Sequence, residues 1–322
     1  RGLGDVYKRQ GIYGDPSDPD SPYVSQSSSS SKFSSDNISI YANIDYLLNA
    51  STKISFGARW EDYESKYSDS FNENFNPSDK MSGGKISLTK NINEQTNIFF
   101  NLAKGFNQGG FNLNLGLDPN SQNNNLYYDP EFLTNYEIGF NSEISNSKIN
   151  ISGIIFHSNR EDQQVLISTQ VDPSDPNTFT FLTQNAAEGI NRGLELNMTM
   201  QVSNSLDVFF NLGLLKTEIK NWESRPDLEG RAQAHAPKKS YALGLNWNPF
   251  ENSFLSINFV GKSDFYYSDS HNNKSKSYAL TNINYSYISG QWTYSIWGRN
   301  IFDKYYSTCL LYTSPSPRDV EE

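Results

Sequence analysis

Cysteine is all but absent from this chain of 322 residues: Cys309 stands alone, which excludes an intramolecular disulfide and any multi-cysteine metal site. Histidine is nearly as scarce. His157, His235 and His271 lie far apart and lack metal-ligand spacing such as H-E-x-x-H, so neither a metal nor another cofactor is expected. Basic charge is in deficit, with 26 Lys and Arg against 36 Asp and Glu and a formal net charge of -10. A nucleic-acid partner is therefore excluded, because neutralising phosphates takes a basic face. Long apolar runs are missing as well. With no stretch of about 18 apolar residues, no membrane-spanning helix can be drawn, and the choice narrows to a strand-built membrane protein or a soluble fold.

What is present favours the first. Hydrophobic residues make up 36% of the chain, low for a globular core, yet aromatics reach 14%, too many for a disordered polar chain. That mixture suits a membrane β-barrel, whose lumen and loops are polar while aromatic girdles mark the two bilayer interfaces. The clearest strand lies within Asn185 to Val202. Leu194, Leu196, Met198, Met200 and Val202 alternate with Glu195, Asn197, Thr199 and Gln201, and side chains of a strand alternate faces with a period of two. Such a strand needs a different solvent on each side.

The same pattern recurs along the chain. A Ser-rich polar stretch, Ser21 to Ser35, precedes the strand Ile38 to Leu48, which turns at Asn49 to Ser51 into KISFGARWEDY and then an acidic loop from about Glu64 to Lys80. KISLTK turns into TNIFFNLAKGF before a long Asn- and Gly-rich loop, Asn107 to Asp129. TNYEIGFNSEI turns at Ser145 to Ser147 into KINISGIIFHS, followed by a polar loop through Asp172 and Pro176. Leu194 to Val202 pairs with LDVFFNLGLL ahead of a loop from Ile219 to Pro237. YALGLNW then pairs with FLSINFVG ahead of Ser268 to Ser275, and YALTNINYSY pairs with QWTYSIWGRN across Ser289 and Gly290. The expected fold class is all-β: part of an antiparallel transmembrane β-barrel, roughly twelve strands of about ten residues, with short turns on one side and long loops on the other. The outward sets, Leu194 to Val202, Leu206 to Leu214, Leu255 to Phe259 and Trp292 to Ile296, carry no charge.

Four stretches carry a family resemblance. AKGFNQGGFN (Ala103 to Asn112), DPEFLTNYEIGF (Asp129 to Phe140), NAAEGINRGLEL (Asn185 to Leu196) and NIFDKYY (Asn300 to Tyr306) stand in the order found in the C-terminal barrel of TonB-dependent outer-membrane receptors, which this chain resembles. Each motif is weak alone; four in register over about 200 residues are specific. The resemblance implies the Gram-negative outer membrane, surrounding lipid, and active uptake of an iron chelate of siderophore type or a similar scarce nutrient. It also implies coupling to the TonB complex through an N-terminal plug, and it implies no enzyme. The plug, the TonB box and the closing strand find no match in this chain. Residues 1–10 and 309–322, which match no strand pattern, resemble translated sequencing-library adapter, so the barrel portion is taken as residues 11–308 and the chain as a fragment. Pro315 and Pro317 would interrupt a ladder. Two other classes stay open: a passive outer-membrane porin, and a soluble all-β carbohydrate-binding protein.

Candidate ligand contacts fall on the loop rim, since binding residues concentrate on loops held by a rigid scaffold. Gly109, Gly110 and Phe111, with Tyr127 and Tyr128, are the candidates. The glycines read more readily as permissive residues at a strand-to-loop bend. Tyr127, Tyr128, Phe265, Tyr266 and Tyr267 read either as substrate contacts or as girdle aromatics. Arg192 and Glu195 are expected to face the lumen and the plug. Asp303 and Lys304 read as an interface pair. No catalytic residue is expected: Glu131 and Glu137 lie six apart across a loop-to-strand junction, without a nucleophile or partnered His.

Overall fold

A computed structural model describes residues 6–11, 27–70, 74–112, 126–144, 148–170, 179–185, 188–222, 225–269 and 271–309. The Ser145 to Ser147 turn, the loop through Asp172 and Pro176, and residues 1–5 and 310–322 fall outside them. The strands are β1 (Val6–Gly11), β2 (Ser27–Asn49), β3 (Thr52–Asp69), β4 (Asn74–Phe75), β5 (Ser78–Asn91), β6 (Thr96–Asn107), β7 (Gly110–Phe111), β8 (Tyr127–Tyr128) and β9 (Glu131–Ile144). They continue with β10 (Ile149–Glu161), β11 (Gln164–Gln170), β12 (Phe179–Asn185), β13 (Glu188–Ser203), β14 (Leu206–Lys220), β15 (Lys239–Trp247), β16 (Ser253–Lys262), β17 (Tyr278–Ser289) and β18 (Trp292–Gly298). One sheet runs in the order β1-β2-β3-β5-β6-β9-β10-β13-β14-β15-β16-β17-β18, and β4 pairs with β3. Every neighbour in it is antiparallel, so short turns and long connections alternate as expected. No helix among the described residues is long and apolar enough to cross a membrane; a single 3-10 turn, Pro226–Leu228, sits in one loop.

The strands exceed their expected lengths at the loop side. β2 begins within the Ser-rich stretch, and β3 and β5 take up most of the expected loop between Glu64 and Lys80. β1 extends the sheet into the stretch resembling adapter, although no alternation marked it. The cause is that ladder hydrogen bonds need no apolar side chain. Where a strand projects beyond the bilayer, both faces meet water and the period-two signal is lost.

Within the belt one face is apolar, while the other sets Phe99, Ile154, Phe156 and Phe209 among its polar side chains. Cross-strand pairs share a face, and pairing puts Ile98, Phe140, Gly153 and Leu196 in one row, then Leu212, Tyr241 and Gly261. Leu206, Val208, Phe210, Leu212 and Leu214 of β14 share this face. At about 3.4 Å per residue and a tilt of about 40°, they cover roughly 20 Å of height, near the roughly 25 Å of an outer-membrane apolar band. Aromatics gather at both margins: Trp60, Tyr136 and Tyr241 towards the loops, and Trp247, Tyr287, Trp292 and Tyr294 towards the turns. Grooves line the opposite, polar face, which is therefore the concave side. Val202 leaves the regular row at a bulge between Gln201 and Ser203.

Glycines in the wall lie under aromatic rings of the neighbouring strand. A Cβ at Gly139 would come 2.5 Å from the Phe99 ring and 2.7 Å from the Gly153 carbonyl oxygen, so no larger residue fits without displacing the ladder. Phe156 covers the motif glycine Gly193 in the same way. The sheet stays open. Among the described residues the lower part of β2 and all of β18 lack an outer neighbour, and Ile40, Ile44, Trp292 and Ile296 there are all more than 60% exposed.

Arg192 corrects one expectation. The register of β13 is unbroken from Glu188 to Gln201, and residues three apart on a strand point to opposite faces. Glu195 lies on the concave polar face, whereas Arg192 shares the outward face with Leu194.

Candidate binding face

The concave face is a hydrogen-bonded polar surface built by alternation. Four neighbouring strands supply one row of it: Ser87 donates to Asn101 Oδ1 (2.5 Å), and Asn101 Nδ2 donates to Glu137 Oε2 (3.0 Å). Asn135 Nδ2 donates to Glu137 Oε1 (2.7 Å), and Ser158 donates to Asn135 Oδ1 (2.7 Å). Glu137 is thus fixed by two amides on a lumen wall. Higher on the same face, Glu61 is only 1% exposed. It accepts from Arg59 Nε (3.0 Å), Asn37 Nδ2 (2.8 Å) and Gln108. Arg59, Lys85 and Asn43 line a groove of about 610 Å³ beside it. A second groove of about 560 Å³ holds Glu195, Asn197, Asn211, Lys262 and Tyr306. Both grooves carry acid, base and amide groups, which suits hydrated polar matter rather than lipid.

Loops close over the upper end as one interlocked cap. Asn112 exchanges two hydrogen bonds with the Thr183 backbone (2.8 and 2.7 Å), joining the β7–β8 hairpin to β11–β12. Glu131 accepts from Arg160 Nε (2.6 Å) and from the Gln164 amide (3.0 Å), a structural pairing. Val165, Ile219, Trp222 and Leu228 form the buried core of this cap. Arg231 donates to the carbonyls of His271 (2.8 Å) and Ser268 (2.9 Å) and stacks on Tyr266 at 4.3 Å, while Lys274 covers the same ring at 4.4 Å.

The structure brings together Gly109, Gly110, Phe111, Tyr127 and Tyr128, on β7, β8 and the residue before them. It packs them inward. The Phe111 ring lies 5.3 Å from Tyr67, 5.3 Å from Tyr127 and 5.7 Å from Phe33. Both glycines are buried, with a Cβ at Gly109 only 2.5 Å from the Tyr127 hydroxyl and one at Gly110 only 2.5 Å from that of Tyr128. Burial, and then a hydrogen bond donated to Asp79, push the Tyr127 phenol well above its usual range; burial also raises that of Tyr128. Phe265, Tyr266 and Tyr267 also belong to the cap rather than to a girdle, because they lie in the connection between β16 and β17. Asp303 and Lys304 form no ion pair with each other; instead Asn300 brackets Lys304, donating to its carbonyl and accepting from its amide at 3.0 Å each.

Glu61, Gln108, Asn112 and Arg231 escaped the sequence reading. Arg59 and Glu61 share a face by spacing, a legible signal, whereas Gln108, Asn112 and Arg231 meet partners 37 to 71 residues away and had none. Among the described residues no group of three or more His, Cys, Asp or Glu is placed to hold a metal.

A family model described as TonB dependent receptor-like, beta-barrel matches residues 2–301. Solved structures share the fold. The ferric yersiniabactin uptake receptor FyuA from Yersinia pestis superposes with a TM-score of 0.73 at 16% identity, over 90% of this chain and 44% of that one. The siderophore receptor PiuA from Acinetobacter baumannii gives 0.70 at 19% identity, over 89% and 42%. The copper transporter OprC gives 0.70 at 12% identity, over 93% and 48%. The chain spans less than half the length of each.

Proposed function

From the premise that this chain belongs to the TonB-dependent receptor-like β-barrel family of the Gram-negative outer membrane, we propose that it is wall and loop cap of a receptor for active uptake of an iron chelate of siderophore type. Family and fold speak for a receptor rather than an enzyme. The observation that carries the uptake reading is the concave polar face. Its fixed carboxylates and amides, Glu137 and Glu61 among them, can seat a hydrated plug and line the path of a polar solute, while the outward face meets lipid. Two of the structural relatives are named for ferric or siderophore ligands and one for copper, which supports a metal-complex cargo and favours iron. Energy would come from the TonB complex acting through a plug. Ligand contacts are proposed on the loop side, with Tyr127, Tyr128, Phe111, Gly109 and Gly110 bracing the rim.

The test is uptake of radio-iron chelates by a receptor-deficient Gram-negative strain expressing the parent gene of this segment. Chelate-dependent accumulation that disappears in a strain lacking TonB is expected. Equal accumulation with and without TonB would favour a passive porin, and copper uptake without iron uptake would move the cargo.

A further inference from the structure

Between β13 and β17 the concave face sinks into a groove whose two sides carry opposite charge. Strand pairing sets Glu195, Gly213, Ser240, Lys262 and Tyr278 in one inward row. Gly213 and Ser240, the smallest side chains of that row, form the floor of a groove of about 560 Å³. Glu195 and Lys262 stand on either side of it. Both are exposed, and neither makes a salt bridge or side-chain hydrogen bond among the described residues. Three ladder spacings separate their backbones, roughly 14 Å at about 4.8 Å per strand, so acid and base face the same groove without meeting. The next inward row towards the turns is apolar here, with Ala242, Val260 and Leu280 side by side. An aromatic lip closes the end beside Lys262: the Tyr278 and Tyr306 rings lie 4.8 Å apart, and the Tyr267 hydroxyl donates to the Ser307 carbonyl (3.3 Å), which fixes the segment after β18 there.

We propose that this groove binds a zwitterion whose ammonium and carboxylate are held apart by a short apolar spacer, the ammonium on Glu195 and the carboxylate on Lys262. A charge-assisted contact of about 2.8 Å at each end leaves roughly 8 Å between the two charged groups of the ligand. That is the span of an extended ω-amino acid such as ε-aminocaproate. Its methylenes would lie along Ala242, Val260 and Leu280. A ligand with one charge leaves either Glu195 or Lys262 unmatched, and a dianion meets Glu195 as a like charge, so the site selects by the pair and not by net charge. The other large groove of the wall lacks this property, because Glu61 there is already bonded by Arg59, Asn37 and Gln108 and no acid is left open. The proposal deepens the uptake reading and rests on it for the step from bound zwitterion to cargo. The site itself is read by binding alone, so loss of transport and loss of the site are distinguishable.

The intact receptor containing this chain, purified in mild detergent, is titrated with ε-aminocaproate, hexylamine and hexanoate, reading bound probe by saturation-transfer NMR. Wild type is expected to bind ε-aminocaproate at least about tenfold more tightly than either singly charged probe, and E195Q/K262Q to lose that preference. E195K alone should abolish it. The exchange E195K/K262E should restore it, because the probe can bind end for end, an outcome that a merely structural role of either residue does not produce. E94Q/K148Q, which removes one acid and one base at exposed turn positions, should keep the preference. Heat-modifiable gel mobility checks folding. If the charge-reversed variants fail that check, K262Q alone makes the same comparison and should lower the preference several-fold. Equal affinity of wild type for the three probes, the result expected if a plug segment fills the groove, would overturn the proposal. So would a preference that survives in E195Q/K262Q, or a folded exchange variant that does not recover it.

Discussion

At the scale of single residues, burial decides which polar groups stiffen the cap. Tyr127 donates its hydroxyl to Asp79 from a half-buried position, and a bond to a carboxylate contributes about 1.5 to 3 kcal/mol. Its folded-state pKa is raised above the ordinary value of about 10. The folded cap therefore holds this proton more tightly than the unfolded chain. Its contribution is full below about pH 10 and declines as the pH climbs through the folded value. Protease sensitivity of the cap should stay flat up to about pH 10 and rise beyond it. Y127F should be more sensitive at every pH and lack the alkaline rise; a rise unchanged in Y127F would assign it to another group. Arg192 carries the lesson of the residue scale. Its motif neighbours pointed to the lumen, yet three steps from Glu195 it faces outward, because parity along an unbroken strand outranks proximity in sequence.

At the scale of elements, a strand that separates two solvents responds differently to the same charge at adjacent positions. M198R puts a guanidinium on the outward row, where it costs about 2 to 4 kcal/mol near the midplane, whereas N197R meets the polar concave face and should cost little. Denaturant titration of the intact receptor in bilayers reads the difference, and equal costs would contradict the assignment of faces. Twelve strands were legible as apolar alternation, and three of the four family stretches fell on strands or their ends, while Asn300 to Tyr306 follows β18 outside any strand. The extensions of β2, β3 and β5, the β7–β8 and β11–β12 hairpins and β1 were not. They project beyond the belt, where neither face needs to be apolar and backbone hydrogen bonding alone sets the strand.

At the scale of the whole molecule, the sheet formed by the described residues ends in two unpaired edges, the lower part of β2 and β18. Open edges with exposed apolar rows recruit other strands. Refolded alone in detergent, the 322-residue chain should give multimers in sedimentation analysis and no heat-modifiable monomer; recovery of a stable monomer would show that the edges close by another route. The sequence by itself determined the all-β class, the division into lipid-facing and lumen-facing sets, and the asymmetry of turns and loops. All three are local consequences of a period of two and of turn residues. Only the tertiary structure decided that Phe111, Tyr127 and Tyr128 pack into the cap, that Glu61 is sealed by Gln108, and that Glu195, Lys262 and Tyr306 line one groove. Those outcomes depend on register between strands and on contacts between distant loops, and neither is encoded in the spacing of residues along one strand.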